Sequence, residues 1–427
     1  MDTPETEERP TRAFVLHPDL KSERDRRDAA RALEEAVSLA AALPGIDIAG
    51  EAVVPLAKPR AGYLFGSGKM DELGEMLKAA EIDLVLVDGP VTPVQQRNLE
   101  KAWKVKLLDR TGLILEIFAD RARTREGVLQ VEMAALSYQR TRLVRAWTHL
   151  ERQRGGLGFV GGPGETQIEA DRRAIDEQIV RIKRQLEKVV KTRTLHRAAR
   201  AKVPYPIVAL VGYTNAGKST LFNRVTGAEV LAKDMLFATL DPTMRELQIG
   251  DGPKVILSDT VGFISDLPTQ LVAAFRATLE EVLAADLILH VRDISHPETE
   301  LQAENVAEIL GSLGVESDVP QFEVWNKIDQ LPEAEREELA NRAARSEGIF
   351  AISALSGEGI GTLLEAVAEQ FQDRRHETEL HLGFGEGRRR AWLFDENVVR
   401  SETQTEDGFD LTVYWTDRQE QRYRQLS

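Results

Sequence analysis

The segment from 207 to 225 constrains the fold of this chain more than any other. Ile207 to Val211 have the composition of a buried strand, Gly212 to Ser219 follow as G-x-x-x-x-G-K-S, and a helical pattern continues from Thr220. Backbone N–H groups of such a loop and of the helix start surround phosphate oxygens, and Lys218 places its charge near the β and γ oxygens. The segment therefore predicts an α/β domain that binds a nucleotide, with the Ser219 hydroxyl as a ligand of Mg²⁺.

A second strand-like stretch ends in a motif that fits the same site. Val255 to Ser258 are followed by Asp259-Thr260-Val261-Gly262, which has the form D-x-x-G. In P-loop enzymes the Asp holds Mg²⁺ through water, and the Gly amide contacts the γ-phosphate. We expect these roles for Asp259 and Gly262.

The identity of the base is indicated by Asn326-Lys327-Ile328-Asp329, which follows the strand-like Gln321 to Trp325. Guanine carries N1–H beside an exocyclic amine, and the Asp329 carboxylate can accept from both, whereas adenine offers no such pair of donors. The motif therefore favours GTP over ATP. Ser353-Ala354-Leu355, after the strand-like Ile349 to Ile352, stands where a main-chain contact to the guanine oxygen is expected.

Charge is distributed unevenly along the chain. The formal net charge is −15, yet residues 121–200 hold 18 Lys and Arg against 9 Asp and Glu, a net of +9 that leaves −24 for the rest. This asymmetry indicates a basic arm on an acidic body and favours a polyanionic partner for the arm; a solvated helical face with surplus Arg is the alternative.

Length and composition limit the class of protein. A chain of 427 residues exceeds the size of one hydrophobic core and predicts about three domains. The sequence has no cysteine, which excludes disulfides, thiolate zinc sites and cysteine nucleophiles and favours a reducing compartment. The N-terminal MDTPETEERPTR lacks the pattern of a signal peptide, and no apolar run approaches the roughly 18 residues of a membrane span. We therefore expect a cytoplasmic protein without a membrane span.

Residues 13–120 alternate strand-like and helical stretches. Strands are expected at 13–17, 82–87 and 105–108, with a helix from about Lys21, which is the rhythm of a small α/β layer domain. Gly66-Ser67-Gly68-Lys69 resembles the end of a phosphate loop, but Tyr63 stands where the first Gly belongs and Met70 replaces Ser or Thr. We interpret this stretch as a strand-to-helix turn and not as a second phosphate site.

Residues 121–200 have the period of two helices. Arg140 lies between Leu136 and Leu143 in the apolar seam of the first helix. Two heptad segments joined by glycine-rich residues predict an antiparallel helical hairpin. The two sets of apolar positions are Leu129, Met133, Leu136, Leu143, Trp147 and Leu150, and then Ile175, Ile179, Ile182, Leu186 and Val189.

The tip of this hairpin contains Gly156-x-Gly158-x-x-Gly161, the spacing of a dinucleotide-binding turn. Such a turn needs a strand before its first Gly, whereas RLVRAWTHLERQR has a helical period, so we interpret Asp176, about twenty residues on, as a chance match to the ribose-binding acid. Glycine lets the backbone approach another surface closely, and the flanking arginines suit phosphate contacts; a flexible hairpin turn is the alternative. The candidate RNA contacts are Arg152, Arg154, Gly155, Gly156, Gly158, Arg172 and Arg173.

The remaining stretches complete the expected architecture. Residues 196–206 contain two prolines and are interpreted as a linker, an α/β unit follows from Ile207 to about Phe371, and the last fifty residues have the alternation of a small α+β domain. The fold class is therefore multidomain α/β. The expected parts are an N-terminal α/β layer domain (1–120), the helical hairpin (121–200), a P-loop domain with a mostly parallel sheet and helices on both faces (201–375), and a C-terminal α+β domain (376–427).

The nucleotide-site motifs resemble those of the translational-factor class of GTPases over residues 207–371. Together with YLFGSGK and GGLGFVGGPGETQIEADRR, the motifs GYTNAGKST, FATLDPT, DTVGF and NKID make nearly the whole chain similar to the HflX family of ribosome-associated GTPases. The resemblance implies a monomeric GTPase that binds the large (50S) ribosomal subunit and its rRNA near the peptidyl-transferase region. It also implies separation of stalled or idle 70S ribosomes, with GTP hydrolysis controlling release.

The same resemblance assigns the switch residues. Phe237 to Asp241 correspond to switch I, with the Thr239 hydroxyl as the other protein ligand of Mg²⁺ beside Ser219; the nearby Thr243 is the alternative ligand. Lys218, Thr239 and Gly262 are the catalytic set. Asn215 resembles the asparagine that lets some related GTPases use K⁺. The expected GTP-binding residues are Gly212, Tyr213, Thr214, Asn215, Ala216, Gly217, Lys218, Ser219, Thr220, Phe237, Ala238, Thr239, Leu240, Asp241, Asp259, Thr260, Val261, Gly262, Asn326, Lys327, Asp329, Ser353, Ala354 and Leu355.

Phe263 stands where Ras-like enzymes carry the glutamine that orients water. Phenylalanine lacks that capacity, so slow intrinsic hydrolysis that the ribosome stimulates is expected. Two other classes remain open on the sequence: a P-loop ATPase or kinase in which NKID is incidental, and an RNA-binding protein that is gated by nucleotide without hydrolysing it.

Overall fold

The computed structural model describes residues 9–21, 27–153, 163–200, 205–228, 236–237, 240, 243–250, 252–265, 267, 282–315, 319–371 and 375–424. The chain divides into two compact units. The first comprises Met1–Leu247 and Lys254–Ile360, and the second comprises Gln248–Pro253 and Gly361–Ser427.

The N-terminal part of the first unit is a four-stranded sheet in the order β2-β1-β3-β4, with every neighbouring pair parallel. Parallel pairing requires crossover connections, and helices supply them. Side chains of Asp28, Thr92 and Asp109 cap the helices that follow them by accepting from backbone amides. The elements are β1 (Thr11–Leu20), α1 (Ala29–Ala41), β2 (Ile46–Leu56), α2 (Ser67–Ala79), β3 (Leu84–Val87), α3 (Pro93–Trp103), β4 (Lys106–Asp109) and α4 (Arg110–Arg121).

This sheet agrees with the expected α/β layer and corrects three details. Strand β2 was not anticipated, because Gly50 and Pro55 interrupt its pattern with residues that are depleted in strands. The first helix that the structure describes begins at Ala29, eight residues after the expected start at Lys21. Helix α2 begins at Ser67, with ten residues between it and the end of β2 at Leu56, so Gly66 to Lys69 lie at a loop-to-helix junction and not at a direct strand-to-helix turn.

Two long helices, α5 (Arg125–Gln153) and α6 (Pro163–Arg200), form the predicted hairpin. Ile179 and Ile182 of its expected seam are 6% and 4% exposed. Arg140, the charged residue of the seam, lies 3.2 Å from the Asp176 carboxylate on the opposite helix. Asp176 therefore has a structural partner, which agrees with its exclusion as a ribose-binding acid. The glycine-rich tip lies outside the described residues.

Helix α6 also corrects the expected linker. It continues to Arg200, so residues 196–200 are helical. Ala and Arg have high helix propensity, and the prolines that end such a helix come only at 204 and 206.

A six-stranded sheet in the order β10-β9-β8-β5-β7-β6 follows. Its pairs β5–β7, β5–β8, β8–β9 and β9–β10 are parallel, as predicted for the P-loop domain. The central strand β5 is almost wholly buried, which explains its continuous apolar sequence. The elements are β5 (Ile207–Val211), α7 (Lys218–Thr226), β6 (Thr243–Gln248), β7 (Lys254–Asp259), β8 (Leu287–Asp293), α8 (Thr299–Leu313), β9 (Gln321–Asn326), a 3₁₀ turn (Ile328–Gln330), α9 (Glu333–Ala344), β10 (Ile349–Ala351) and α10 (Ile360–Gln370).

The second unit contains an antiparallel sheet in the order β11-β13-β12. Trp415, Val413 and Leu393 are at most 1% exposed and form its core, so the expected α+β character is confirmed. Besides α10, which belongs to this unit from Gly361 onward, its elements are β11 (Arg375–Gly383), α11 (Gly387–Asp395), β12 (Val399–Gln404), β13 (Gly408–Thr416) and α12 (Asp417–Arg424). Among the helices that the structure describes in either unit, none has the length and apolar character to cross a membrane.

Candidate nucleotide-binding site

The loop between β5 and α7 requires glycine at both of its motif positions. Gly212 has φ +151°, and a Cβ there would lie 2.1 Å from the Val291 carbonyl oxygen of the neighbouring strand. Gly217 has φ +96°, and a Cβ there would lie 2.1 Å from Asn326 Nδ2. Both positions combine a left-handed or extended positive-φ backbone with a close approach, so any side chain would displace the loop.

Lys218 lies at the start of α7 and is 6% exposed. Its Nζ donates to the carbonyl oxygens of Gly212 (3.1 Å) and Tyr213 (2.8 Å), so the ammonium is held over the loop. Burial lowers the pKa of Lys218 to about 8, although the nearby Asp259 carboxylate favours the charged form.

The two predicted magnesium-site residues of the described chain lie together. Ser219 Oγ donates to Asp259 Oδ2 over 2.7 Å, and Asp259 is fully buried at the end of β7. A hydroxyl beside a carboxylate is an all-oxygen set of the kind that Mg²⁺ prefers. Within the described ranges, no three or more His, Cys, Asp or Glu side chains gather as an alternative metal site. The residues present therefore fit Mg²⁺ at this position.

We expect the affinity for GDP to fall as the pH rises above about 8. Bound phosphate favours the charged ammonium, so binding must take up a proton once Lys218 of the nucleotide-free protein has lost its own. The Kd should be constant at lower pH and then rise toward about tenfold per pH unit. A titration with a fluorescent GDP analogue from about pH 7 to about pH 9 measures this.

Lys218→Arg is the matched control for this titration, since guanidinium keeps its charge throughout the range. Its affinity, even if lower, should show less dependence on pH than the wild type. Identical pH profiles for the two proteins would contradict the assignment.

Asn326 connects the P-loop to the segment that follows β10. Its Nδ2 donates to the Ala216 carbonyl (2.8 Å), and its Oδ1 accepts from the Ala354 amide (2.8 Å). Ser353 is fully buried, and Leu355 is 71% exposed. The Ala354 amide, one of the expected main-chain contacts to guanine, is thus engaged by Asn326 in this structure.

Asp329 lies in the 3₁₀ turn and is exposed. The preceding Lys327 has φ +67°, and its Nζ lies 2.8 Å from Asp293 Oδ2 at the end of β8. This ion pair anchors the Lys327 stem beside the turn that carries Asp329. The turn therefore presents the exposed Asp329 carboxylate to solvent, and its contact with the base stays a prediction.

The D-x-x-G segment packs directly on the P-loop. The Thr214 amide donates to the Phe263 carbonyl (2.6 Å), and the Phe263 amide donates to the Gly212 carbonyl (3.1 Å). A Cβ on Gly262 would lie 2.9 Å from the Thr214 Cα atom and 3.0 Å from Lys218 Nζ. The Phe263 side chain is 2% exposed and belongs to the core, so it does not face the phosphate position.

Only part of the expected switch I can be placed. Phe237 and Leu240 are each 2% exposed, and the Phe237 ring meets Phe118 of α4 edge to face, with centroids 4.7 Å apart. Ala238, Thr239 and Asp241 lie outside the described residues. Phe237 is thereby held by the N-terminal α/β layer.

A buried cluster of charges joins the N-terminal layer to the site, and sequence reasoning missed it. The hydroxyl of Tyr213, a P-loop residue, hydrogen-bonds to Glu35 of α1 and to Ser265 Oγ (2.6 Å). Arg110 donates to Glu35 Oε1 (2.6 Å), and from the same nitrogen to the Ser265 carbonyl (2.8 Å). Arg27 adds two contacts to the same carboxylate at 3.1 Å.

The charges of this cluster compensate one another. Burial alone would raise the pKa of Glu35, but the cations of Arg110 and Arg27 lower it below its usual value. In the sequence, Glu35 is only a polar residue beside the apolar positions of α1, and Arg110 is only a polar residue directly after β4. Nothing in their spacing indicates that they meet a P-loop residue.

The described arm residues among the candidate RNA contacts are exposed. Arg172 lies 3.9 Å from Asp176, Arg173 lies 3.8 Å from Glu169, and their side chains are 53% and 80% exposed. Pairs this exposed are weak, so both guanidinium groups remain available to a stronger anion. Arg154, Gly155, Gly156 and Gly158 lie outside the described residues, as does the side chain of Arg152.

Four family models match consecutive parts of the chain. They are described as GTP-binding GTPase N-terminal (residues 30–119), GTP-binding GTPase Middle Region (121–200), 50S ribosome-binding GTPase (207–327) and HflX C-terminal domain (338–426).

Relatives match over most of their length. The chain is 49% identical to the GTPase HflX of Magnetococcus marinus over 96% of this chain and 93% of that protein. It is 46% identical to the GTPase HflX of Escherichia coli over 82% of each chain. Among solved structures, a GTP-binding protein from Sulfolobus solfataricus in complex with GDP matches with a TM-score of 0.46 and 23% identity, over 84% of this chain and 98% of that one.

Proposed function

The chain belongs to the HflX family of GTPases, and on that premise we propose that it binds the 50S ribosomal subunit, separates 70S ribosomes and leaves after hydrolysing GTP. The observation that carries the proposal is that the P-loop GTPase site and the helical hairpin lie in the same compact unit. The hairpin region, residues 121–200, has a net charge of +9. A cationic arm is suited to rRNA, because phosphate contacts dominate the affinity of proteins for nucleic acids. Hydrolysis of GTP would then determine when the protein leaves the ribosome.

Three of the four parts of the chain have separate tasks in this proposal. Residues 1–120 hold the switch segments, residues 121–200 contact rRNA near the peptidyl-transferase region, and residues 201–375 bind and hydrolyse GTP. Residues 376–427 form the remaining part. The protein acts as a monomer in the cytoplasm, where ribosomes are.

The expected phosphate, base and metal contacts have separate roles in the proposed GTP cycle. Lys218 and the P-loop amides bind the phosphates, and Asp329 reads guanine. Ser219 and Thr239 would ligate Mg²⁺, with Asp259 contacting it through water; the ion supplies charge neutralisation at the β- and γ-phosphates. Asn215, which has φ +60°, would contact K⁺ if that ion is used.

GTP is proposed to order the segment around Thr239 and the segment from Asp259 to Gly262. Hydrolysis removes the γ-phosphate contact of the Gly262 amide, and both segments then relax. Because Phe263 brings no water-orienting group, intrinsic hydrolysis is slow and the 50S subunit stimulates it. The nucleotide thereby controls how long the arm stays on the ribosome.

Sedimentation of 70S ribosomes with this protein under GTP, GDP and a non-hydrolysable GTP analogue tests the proposal. GTP and the analogue should produce free subunits with the protein on the 50S fraction, and the analogue should retain it longest. GDP should leave 70S particles intact. An identical profile with all three nucleotides would overturn the proposal, and equal affinity for GTP and ATP would favour a P-loop ATPase or kinase. Zero GTP turnover with and without 50S subunits would favour the non-hydrolysing RNA-binding class.

Replacing Arg152, Arg154, Arg172 and Arg173 by Ser should weaken binding to 50S subunits and leave the Kd for GDP unchanged. Loss of four phosphate contacts should lower the slope of log affinity against log salt by roughly three to four. Pelleting at several salt concentrations measures both effects. The matched control replaces four arginines that are exposed outside the arm and should bind as the wild type does; these are Arg345, Arg388, Arg400 and Arg424. Undiminished binding of the arm variant would remove the arm from the proposal.

A further inference from the structure

The Thr214 side chain is a buried polar group at the edge of the phosphate site. Thr214 is 6% exposed, and its Oγ1 is buried without a hydrogen-bond partner among the described residues. A buried hydroxyl without a partner is costly, and native proteins usually satisfy such groups. An unsatisfied one beside a ligand site indicates that the ligand supplies the missing partner.

The other hydroxyls around the D-x-x-G segment already have partners. Thr260 Oγ1 donates to the Leu210 carbonyl (2.6 Å), Ser265 Oγ is bonded to the Tyr213 hydroxyl (2.6 Å), and Ser219 Oγ donates to Asp259 (2.7 Å). These three hydroxyls are therefore bonded to a carbonyl of strand β5, to the buried charge cluster and to the predicted magnesium-site carboxylate, respectively. Thr214 differs from all three: its backbone amide donates to the Phe263 carbonyl, but its hydroxyl has no partner among the described residues.

The position of Thr214 corresponds to the γ-phosphate end of the site. A Cβ built on Gly262 would lie 2.9 Å from Thr214 Cγ2 and 3.0 Å from Lys218 Nζ, so both side chains flank the same glycine. Lys218 marks the β- and γ-phosphates, and the amide of Gly262 is the expected contact of the γ-phosphate. The Thr214 side chain therefore lies beside Gly262, at the end of the site where the γ-phosphate is expected.

The usual source of water orientation is absent from this end of the site. The residue after Gly262 is Phe263, and its side chain is packed in the core with 2% exposure. Rotating it toward the phosphates would expose a large apolar ring and bring no hydrogen-bonding group. For the slow hydrolysis that the chain performs by itself, a polar group on another element can orient the water, and the P-loop carries one.

We propose that the Thr214 hydroxyl is a catalytic residue of GTP hydrolysis, which accepts a hydrogen bond from the attacking water and donates one to a γ-phosphate oxygen. The water oxygen forms a bond to the γ-phosphorus as the bond from that phosphorus to the β–γ bridging oxygen breaks. The electron pair of the broken bond leaves with GDP, and both protons of the water leave on inorganic phosphate. Thr214 exchanges no proton; it holds the water in line. This inference rests on the GTPase activity and not on ribosome binding.

Thr214→Val tests the proposal, because valine keeps the shape and removes the hydroxyl. Single-turnover hydrolysis of GTP should slow by about 10- to 100-fold, while the Kd for GDP stays within about twofold. Since the variant also removes a buried unpaired hydroxyl, the Tm of the nucleotide-free protein should rise by about 1–4 °C. Thr214→Ser, which restores a hydroxyl, should recover hydrolysis to within about threefold of the wild type.

Thr226→Val is the control, because its hydroxyl donates to the Phe222 carbonyl at the far end of α7. It should hydrolyse GTP at the wild-type rate. A wild-type rate for Thr214→Val would overturn the proposal. So would a slow rate that is accompanied by an equal loss of GDP affinity or by a lower Tm, since a purely structural role gives those results. If the hydrolysis rates are as expected but the wild-type protein does not separate 70S ribosomes, the result would contradict the proposed function and leave the role of Thr214 standing.

Discussion

The variant Asp329→Asn is expected to lose about 10²- to 10⁴-fold in affinity for GTP and GDP and to gain affinity for xanthosine diphosphate. The Asp329 carboxylate is exposed on the 3₁₀ turn and can accept from guanine N1–H and from the exocyclic amine. Asparagine accepts one of these and presents an N–H₂ group to the other, so two charge-assisted hydrogen bonds of about 1.5–3 kcal/mol each are lost. Xanthine carries an oxygen in place of the amine, and the N–H₂ group can donate to it.

Competition of GTP, ATP and xanthosine nucleotides against a fluorescent GDP analogue measures this change. Glu333→Gln, an isosteric removal of one exposed negative charge at the start of α9, is the control and should keep the preference for guanine. Unchanged guanine preference in Asp329→Asn would show that Asp329 does not read the base. Equal binding of ATP and GTP by the wild-type protein would contradict the assignment independently.

Glu35→Leu is expected to destabilise the first unit by about 3–5 kcal/mol. The carboxylate is 10% exposed and is shared by Arg110 at 2.6 Å and Arg27 at 3.1 Å, and it bonds the Tyr213 hydroxyl. Removing it leaves Arg110 with Asp88 (2.6 Å) and Arg27 with Glu298 (3.3 Å) as their remaining anions. The buried N–H groups that bonded Glu35 then lack an acceptor, which costs more than the ion pairs themselves contribute. The Tm should fall by at least about 6 °C, and calorimetry of the nucleotide-free protein measures it.

Glu72→Gln is the matched control for this variant. Glu72 pairs with Lys69 at 2.7 Å, but its side chain is 57% exposed, so its removal should change stability by less than about 1 kcal/mol.

The stabilisation by Glu35 should depend on pH. Folding lowers the pKa of Glu35 below its ordinary 4.5, so the carboxylate contributes fully to stability above pH 4.5, and this contribution is lost as the pH falls through the lower pKa of the folded protein. The difference in Tm between wild type and Glu35→Leu should therefore shrink in acid. If Glu35→Leu and Glu72→Gln lower the Tm by the same small amount, the buried cluster does not stabilise the fold as expected.

Residues that are contiguous in sequence were predicted well. The segments Gly212 to Ser219, Asp259 to Gly262 and Asn326 to Asp329 each follow a strand-like run, and the structure places each at the end of a strand of one sheet. Such motifs can be recognised in a sequence because both the backbone conformation and the chemistry depend on neighbouring residues. The hairpin could be predicted for the same reason, since helical periodicity is a local property.

Errors arose where the local signal was weak or misleading. Strand β2 was missed because Gly50 and Pro55 interrupt its pattern, and its pairing with β1 supplies the order that propensity does not. The linker was placed too early because prolines at 204 and 206 were given more weight than the helix formers before them. Thr239 stays a prediction.

The sequence by itself determined a guanine nucleotide site, a parallel α/β sheet to carry it and a basic hairpin, because each depends on residues adjacent in the chain or on a regular period. Only the tertiary structure decided that Glu35 and Arg110 meet Tyr213, that Phe263 is turned into the core and that Thr214 retains an unpartnered hydroxyl among the described residues. Those facts depend on contacts between residues that are far apart in the chain, and burial in three dimensions sets the energy of each charge and hydroxyl.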